Sequence, residues 1–155
     1  MNDTHGETGK GWYGFDLDGT LAMYDGWKGD LHIGEPIAEI ISIAKELHSK
    51  GQRIKIFTAR VARNSWREAS LEQIEGAIWK WCDKHLGFRP EITCEKDRWM
   101  LDFYDDRCNQ VLKNRGKLLT DIVKDAKKSI TKALLGGEMK YAKEAVAELS
   151  EAIRE

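Results

Sequence analysis

The sequence predicts an α/β fold: a parallel sheet with helices on both faces, followed by a C-terminal helical hairpin. Three observations carry this expectation. Short apolar runs alternate with helix-period segments through about residue 115, which is the signature of a parallel sheet with crossover helices. Acidic residues and a threonine recur just past the ends of the expected strands, where parallel sheets place their ligands. From Lys117 the texture changes to two charged amphipathic segments around a Gly136-Gly137 hinge.

Trp12 to Phe15 is an aromatic and apolar run ending at an acidic loop, and reads as a buried strand. Leu21 to Gly34 carries Gly26, Gly29 and Gly34 among scattered aromatics, and reads as a turn-rich flap. Glu35-Pro36 opens a helix, with Pro36 near its first turn and Ile37, Ile40, Ile41, Ala44 and Leu47 at helical spacing. Gly51 stops it. Arg53 to Phe57 is the next strand and ends at Thr58. A helix is expected from about Ser65 to His85, with Ile74, Ile78, Trp81 and Cys82 on one face. Pro90 breaks the chain before a short strand, Glu91 to Cys94. Met100 to Tyr104 is the last strand and runs into Asp105-Asp106. Helices follow at about 117–135 and 138–154, so the division is a core of residues 1–116 and an extension of 117–155, packed on the core or used in self-association.

The chain has 155 residues, 41% hydrophobic and 33% charged, with a formal net charge of -1. That balance belongs to a soluble domain and gives no whole-molecule attraction to polyanions. No apolar run is long enough to span a bilayer. Cys82, Cys94 and Cys108 show no metal-ligand spacing and read as reduced, buried thiols of a cytoplasmic protein. Met1 to Gly11 is polar and glycine-rich, lacks the apolar core of a signal peptide, and reads as a mobile leader. Its Gly6-to-Gly11 stretch does not match a phosphate loop, because the glycine spacing and the preceding strand are missing.

The segment Phe15-Asp16-Leu17-Asp18-Gly19-Thr20 carries the chemistry. Two carboxylates two residues apart after a strand can serve one metal while playing different parts. A carboxylate nucleophile at Asp16 can attack phosphorus and split one hard step into two. Asp18 can protonate the leaving oxygen and later activate water. Gly19 permits a tight turn and Thr20 can fasten the loop. Mg²⁺ suits the hard oxygen donors and would offset repulsion between nucleophile and phosphate.

Taken with the later segments, the sequence resembles the haloacid dehalogenase superfamily, whose first motif is DxDGT. Phe57-Thr58-Ala59-Arg60 is similar to the second motif, which implies a hydrogen bond from Thr58 to the phosphoryl group. Lys96 resembles the basic residue of the third motif, although it stands only nine residues before Asp105, and the adjacent Arg98 is an alternative. Tyr104-Asp105-Asp106-Arg107 is similar to the acidic fourth motif. The resemblance covers about residues 11–115 and implies a three-layer, Rossmann-like fold. It also implies a Mg²⁺ site with Asp16, Asp105 and Asp106 as carboxylate ligands and Asp18 giving its backbone carbonyl. Gly19, Thr20, Ala59, Arg60 and Trp27 are the candidate substrate-binding residues. Neither interval between motifs has room for a covering domain, so the site is expected to be capless and open. An open site suits a large substrate or closure by a neighbouring subunit.

These expectations converge on a phosphatase. The rivals are a catalytically silent binding or assembly module and a sugar-phosphate phosphatase; dehalogenation is disfavoured because it does not need Asp18. Tyr24, Trp27, Lys28 and His32 of the flap are placed to meet a base or backbone charge, which favours a nucleotide or nucleic-acid end phosphate. Arg60 reads as either a phosphate contact or a surface ion pair, and Arg107 as a partner for a neighbouring acid. The other five tryptophans read as packing residues.

Overall fold

The computed structural model describes residues 11–63 and 66–154, with side chains described through residue 151. The expected leader lies outside those residues but for Gly11, and so does Ser65. Two compact units are present, one ending at Asp106 and the other beginning at Arg107.

The first unit is built on a four-stranded, all-parallel sheet. Its strands are β1 (Trp12–Asp16), β2 (Arg53–Phe57), β3 (Glu91–Thr93) and β4 (Met100–Tyr104), in the order β3-β2-β1-β4. The chain steps from β1 outward to β2 and β3, then crosses back to place β4 on the other side of β1. Helices α1 (Ala38–Ser49) and α2 (Leu71–His85) make the first two crossovers. They bury Ile41, Ala44, Ile74, Ile78, Trp81 and Cys82 in one cluster with Phe15, Ile54 and Ile56. Since side chains alternate along a strand, Trp12, Gly14, Lys55 and Phe103 occupy the opposite face.

That opposite face explains how β3 reaches β4 without a helix. The connecting residues 94–99 are held by Asp97, which accepts a hydrogen bond from Trp12 Nε1 at 2.8 Å and lies 3.7 Å from Lys55 Nζ. The Trp12 bond holds the Asp97 carboxyl below its ordinary pKa. Lys55 is buried, pairs with Glu91 at 2.8 Å and sits over the Trp12 ring. Gly14 leaves the space that Phe103, Trp12 and Met100 fill; a Cβ there would meet the first two at 2.9 Å.

The helix starts differ from expectation. Ile37 is the N-cap of α1 and Pro36 lies before it, where its neighbour Ala22 forms a bridge. At the other end Gly51 adopts φ 77°, the left-handed stop that the sequence predicts. The second helix starts at Leu71 rather than about residue 65, because Ser70 and Gln73 form a reciprocal capping box. Of the tryptophans, Trp66 is 78% exposed and does not pack. Of the cysteines, only Cys82 is buried; Cys94 is half-buried and Cys108 exposed.

The second unit is a hairpin of α3 (Leu119–Leu135) and α4 (Met139–Arg154) joined at Gly136-Gly137. Leu112 is buried ahead of the two helices, and among the described residues those buried in them are Ala126 and Ala133 on α3 with Ala142 and Ala145 on α4. Small side chains at these positions let the helix axes approach closely. Ile122 and Ile130 flank that seam half-buried, whereas Leu134 and Leu135 stand outside it, 56% and 86% exposed. The apolar stripe that the sequence predicts through Ile122, Ile130, Leu134 and Leu135 is therefore split. No helix among the described residues is long and apolar enough to cross a membrane.

Candidate functional site

Strand order reverses on either side of β1, and the crevice at the carboxyl end of such a reversal is where parallel sheets bind ligands. Asp16 is the last residue of β1 and stands beside it. The following loop is folded tightly on itself: Ala22 N–H donates to Leu17 O and Gly19 N–H to Ala22 O, both at 2.8 Å. Leu17 and Leu21 point into the core and anchor the loop there.

The loop after β4 closes against this one. Asp106 N–H donates to Thr20 Oγ1 at 3.0 Å, so Thr20 fastens the two loops together. Gly19 has φ 96°, and a Cβ on it would lie 2.7 Å from Asp106 Oδ2. Glycine at this place both permits the turn and admits the carboxylate.

The electrostatic result is concentrated on Asp16. Burial, then the neighbouring charges of Asp105, Asp18 and Asp106, push its pKa up to about 7, against a hydrogen bond from the Leu17 amide that lowers it. Four carboxyl groups thus share one strand-end crevice, with the cost of ionisation falling on the residue read as nucleophile.

Thr58 follows β2 directly and is buried. Its N–H donates to Thr93 O at 2.8 Å, and its Oγ1 accepts from Arg60 N–H at 3.2 Å, capping the 3₁₀ turn Ala59–Val61. Ala59 is exposed on that turn. Arg60 is buried rather than on the surface. Its Nε and Nη2 donate to the two carboxylate oxygens of Asp18 at 2.7 and 2.8 Å. Nη1 donates to Asp30 O at 2.6 Å and Nη2 to His32 O at 2.7 Å. The Trp27 ring, 51% exposed, lies 4.9 Å from the Arg60 guanidinium carbon.

The flap residues are accounted for in the same way. Lys28 pairs with Asp25 at 2.7 Å, and Tyr24 and His32 are exposed. Asp30 carries no sequence motif yet is buried, and its carboxylate accepts from Glu68 N–H and Ala69 N–H at 2.6 and 2.7 Å. An acid directly after Gly29 in an otherwise exposed loop is the faint signal that points to it.

The structure therefore brings together Asp16, Asp18, Gly19, Thr20, Asp105 and Asp106, and joins Thr58, Arg60 and Trp27 to them through the Asp18 pair. It does not bring Lys96 or Arg98 into that group. Lys96 is exposed on the 94–99 connection with its ammonium 5.1 Å from the Phe103 ring centre, and among the described residues it forms no ion pair. Arg98 lies over Trp99.

The donor chemistry of the crevice, carboxylate oxygen throughout, fits a hard divalent cation such as Mg²⁺. Among the described residues, no group of three or more His, Cys, Asp or Glu side chains is already arranged to hold a metal.

No protein-family model and no curated protein matches the sequence. Among solved structures, the chain is similar to one described as a conserved protein coded by a locus from Bacteroides thetaiotaomicron. The two share 20% identity at a TM-score of 0.42, over 62% of this chain and 75% of that one.

Proposed function

We propose that this chain is a phosphomonoester hydrolase of the haloacid dehalogenase type, with Asp16 as nucleophile and Asp18 as general acid and base. The observation that carries the reading is the burial of Asp16 among Asp105, Asp18 and Asp106 at the carboxyl end of β1; burial first, and then the charges of these acids, raise its pKa to about 7. Groups perturbed so strongly by burial and by specific charged neighbours cluster at functional sites.

In this reading an Asp16 oxygen attacks phosphorus while the phosphorus–ester oxygen bond breaks, and Asp18 gives the leaving oxygen its proton. Asp18 then takes a proton from water as the water oxygen attacks phosphorus, which breaks the bond to Asp16 and releases inorganic phosphate. Thr58, its hydroxyl oriented by the Arg60 amide, donates to a phosphoryl oxygen. Asp16, Asp105 and Asp106 with the Asp18 backbone carbonyl would hold Mg²⁺, which supplies charge neutralisation when bound. Lys96 serves as the added positive charge only if its connection moves it off Phe103. The exposed rings of Tyr24 and Trp27 favour a nucleotide or nucleic-acid end phosphate over a sugar phosphate.

One observation favours the rival reading of a silent binding module: both oxygens of Asp18 are engaged by Arg60. Hydrolysis of p-nitrophenyl phosphate by wild type and Asp16→Asn, with Mg²⁺ and with excess EDTA, separates the two. Mg²⁺-dependent release of phosphate that Asp16→Asn abolishes supports the hydrolase, and no release by wild type refutes it.

A further inference from the structure

We propose that Arg60 is a positioning residue that ties the flap to Asp18, so that one side chain sets both the direction of the acid/base and the place of the flap. The catalytic half of this proposal rests on the hydrolase reading above; the flap half does not.

Arg60 reaches three separate parts of the chain at once. It comes from the turn after β2, where its own amide is fixed to Thr58 Oγ1. Its guanidinium takes both Asp18 oxygens in the loop after β1, and the carbonyls of Asp30 and His32 in the flap, at 2.6–2.8 Å throughout. Trp27 covers the guanidinium from the flap side. A planar fork with five donors can satisfy four acceptors in these directions, whereas a lysine ammonium has three donors on one point charge.

The ends of the flap are fixed, with Met23 N–H donating to Glu35 O and Trp81 Nε1 to Gly34 O, both at 2.8 Å, but its middle has little else to hold it. Residues 23–29 are exposed and lie outside any helix or strand, and the Asp25–Lys28 pair is on the surface, where such pairs contribute little. The second anchor is Asp30, whose carboxylate binds the Glu68 and Ala69 amides ahead of α2. Its carbonyl is one of the acceptors of Arg60, so the two anchors act on a single residue. A carboxyl that passes a proton to a leaving group must turn an oxygen toward it, and Arg60 determines where both oxygens of Asp18 point.

The test uses Arg60→Gln, Arg60→Lys, Asp18→Asn and the Asp18→Asn/Arg60→Gln double variant. Acid–base assistance is worth about 100-fold or more, so Arg60→Gln is expected to lower kcat on p-nitrophenyl phosphate by about that factor, with Arg60→Lys restoring only a small part. Because Arg60 acts through Asp18, adding Arg60→Gln to Asp18→Asn should cost less than about threefold further, the non-additivity expected of residues acting as a unit. Full multiplication of the two losses would overturn the catalytic half while leaving the hydrolase reading intact. Independently of activity, hydrogen exchange of amides 25–32 should speed up in Arg60→Gln while α1 exchanges as in wild type. Unchanged exchange in the flap would overturn the other half. If Arg60→Gln does not fold, Arg60→Lys carries both arms. A wild type that hydrolyses no phosphomonoester sinks the hydrolase reading and the link to Asp18 with it, and the exchange measurement still judges the flap.

Discussion

Gly19 and Asp106 meet at a distance that leaves no room for a side chain: a Cβ on Gly19 would stand 2.7 Å from Asp106 Oδ2, at a φ of 96°. Gly19→Ala must therefore strain the backbone and displace a carboxylate of the crevice. A loss of about 1–3 kcal/mol in unfolding free energy is expected, with hydrolysis reduced at least tenfold because the first and fourth strand-end loops no longer close. Urea denaturation and the p-nitrophenyl phosphate assay check the two parts. A variant as stable and active as wild type would show that the contact is incidental.

Asp16 also sets a pH dependence. Its pKa is about 7 in the folded chain against an ordinary 3.8, so the folded state holds a proton that the unfolded state has released. The stability this confers is full below about 3.8, declines as pH rises, and is gone above about 7. Without divalent cation the melting temperature should fall across that window. Asp16→Asn should flatten the fall and be more stable than wild type at pH 8, because it removes a charge that burial and three acids oppose. Mg²⁺ should raise the wild-type melting temperature at pH 8 and leave Asp16→Asn nearly unmoved. A gap in melting temperature between Asp16→Asn and wild type that does not widen from about pH 5 to about pH 8 would contradict the burial and crowding of Asp16.

The thiols offer a check on the core. Burial, with Asp83 nearby, pushes Cys82 up to about 12, so it should resist a thiol reagent at pH 8 in the folded protein. Exposed Cys108 should react without denaturant. Rapid labelling of Cys82 in the native state would mean that the α2 side of the cluster is open.

How far the sequence reveals this arrangement depends on the range of each interaction. Asp16, Thr58 and Asp105 are legible as strand-end residues because apolar runs such as Arg53–Phe57 stop right before them. The capping box that starts α2 at Ser70 is a local signal too, written in Ser70 and Gln73, and an expected start at about residue 65 passes over it. Arg60 and Asp30 are different in kind. Their partners lie 28 to 42 residues away, and no local pattern marks a carbonyl as an acceptor. In α3, the seam runs through Ala126 and Ala133, and reading apolar bulk selects Leu134 and Leu135 instead. Fold periodicity rewards large side chains, whereas close helix packing rewards small ones.

Leu134, Leu135, Met139 and Tyr141 remain exposed around the Gly136-Gly137 turn. Such a concentration of apolar surface is expected to be covered by self-association. Replacing Leu134 and Leu135 together by lysine should convert any oligomer to monomer in sedimentation while leaving the α3–α4 hairpin folded by circular dichroism. A wild type that is monomeric at high concentration would refute the expectation.

The central claim is that Asp16 forms a covalent phosphoryl intermediate, and the most direct test is to trap it. Asp18→Asn, lacking the base that activates water, should be mixed with a phosphomonoester and Mg²⁺, quenched in acid, and digested for mass spectrometry. The account expects one added phosphoryl group on the peptide containing Asp16, and none when Asp16→Asn is treated alike. Wild-type turnover by Asp16→Asn would contradict it.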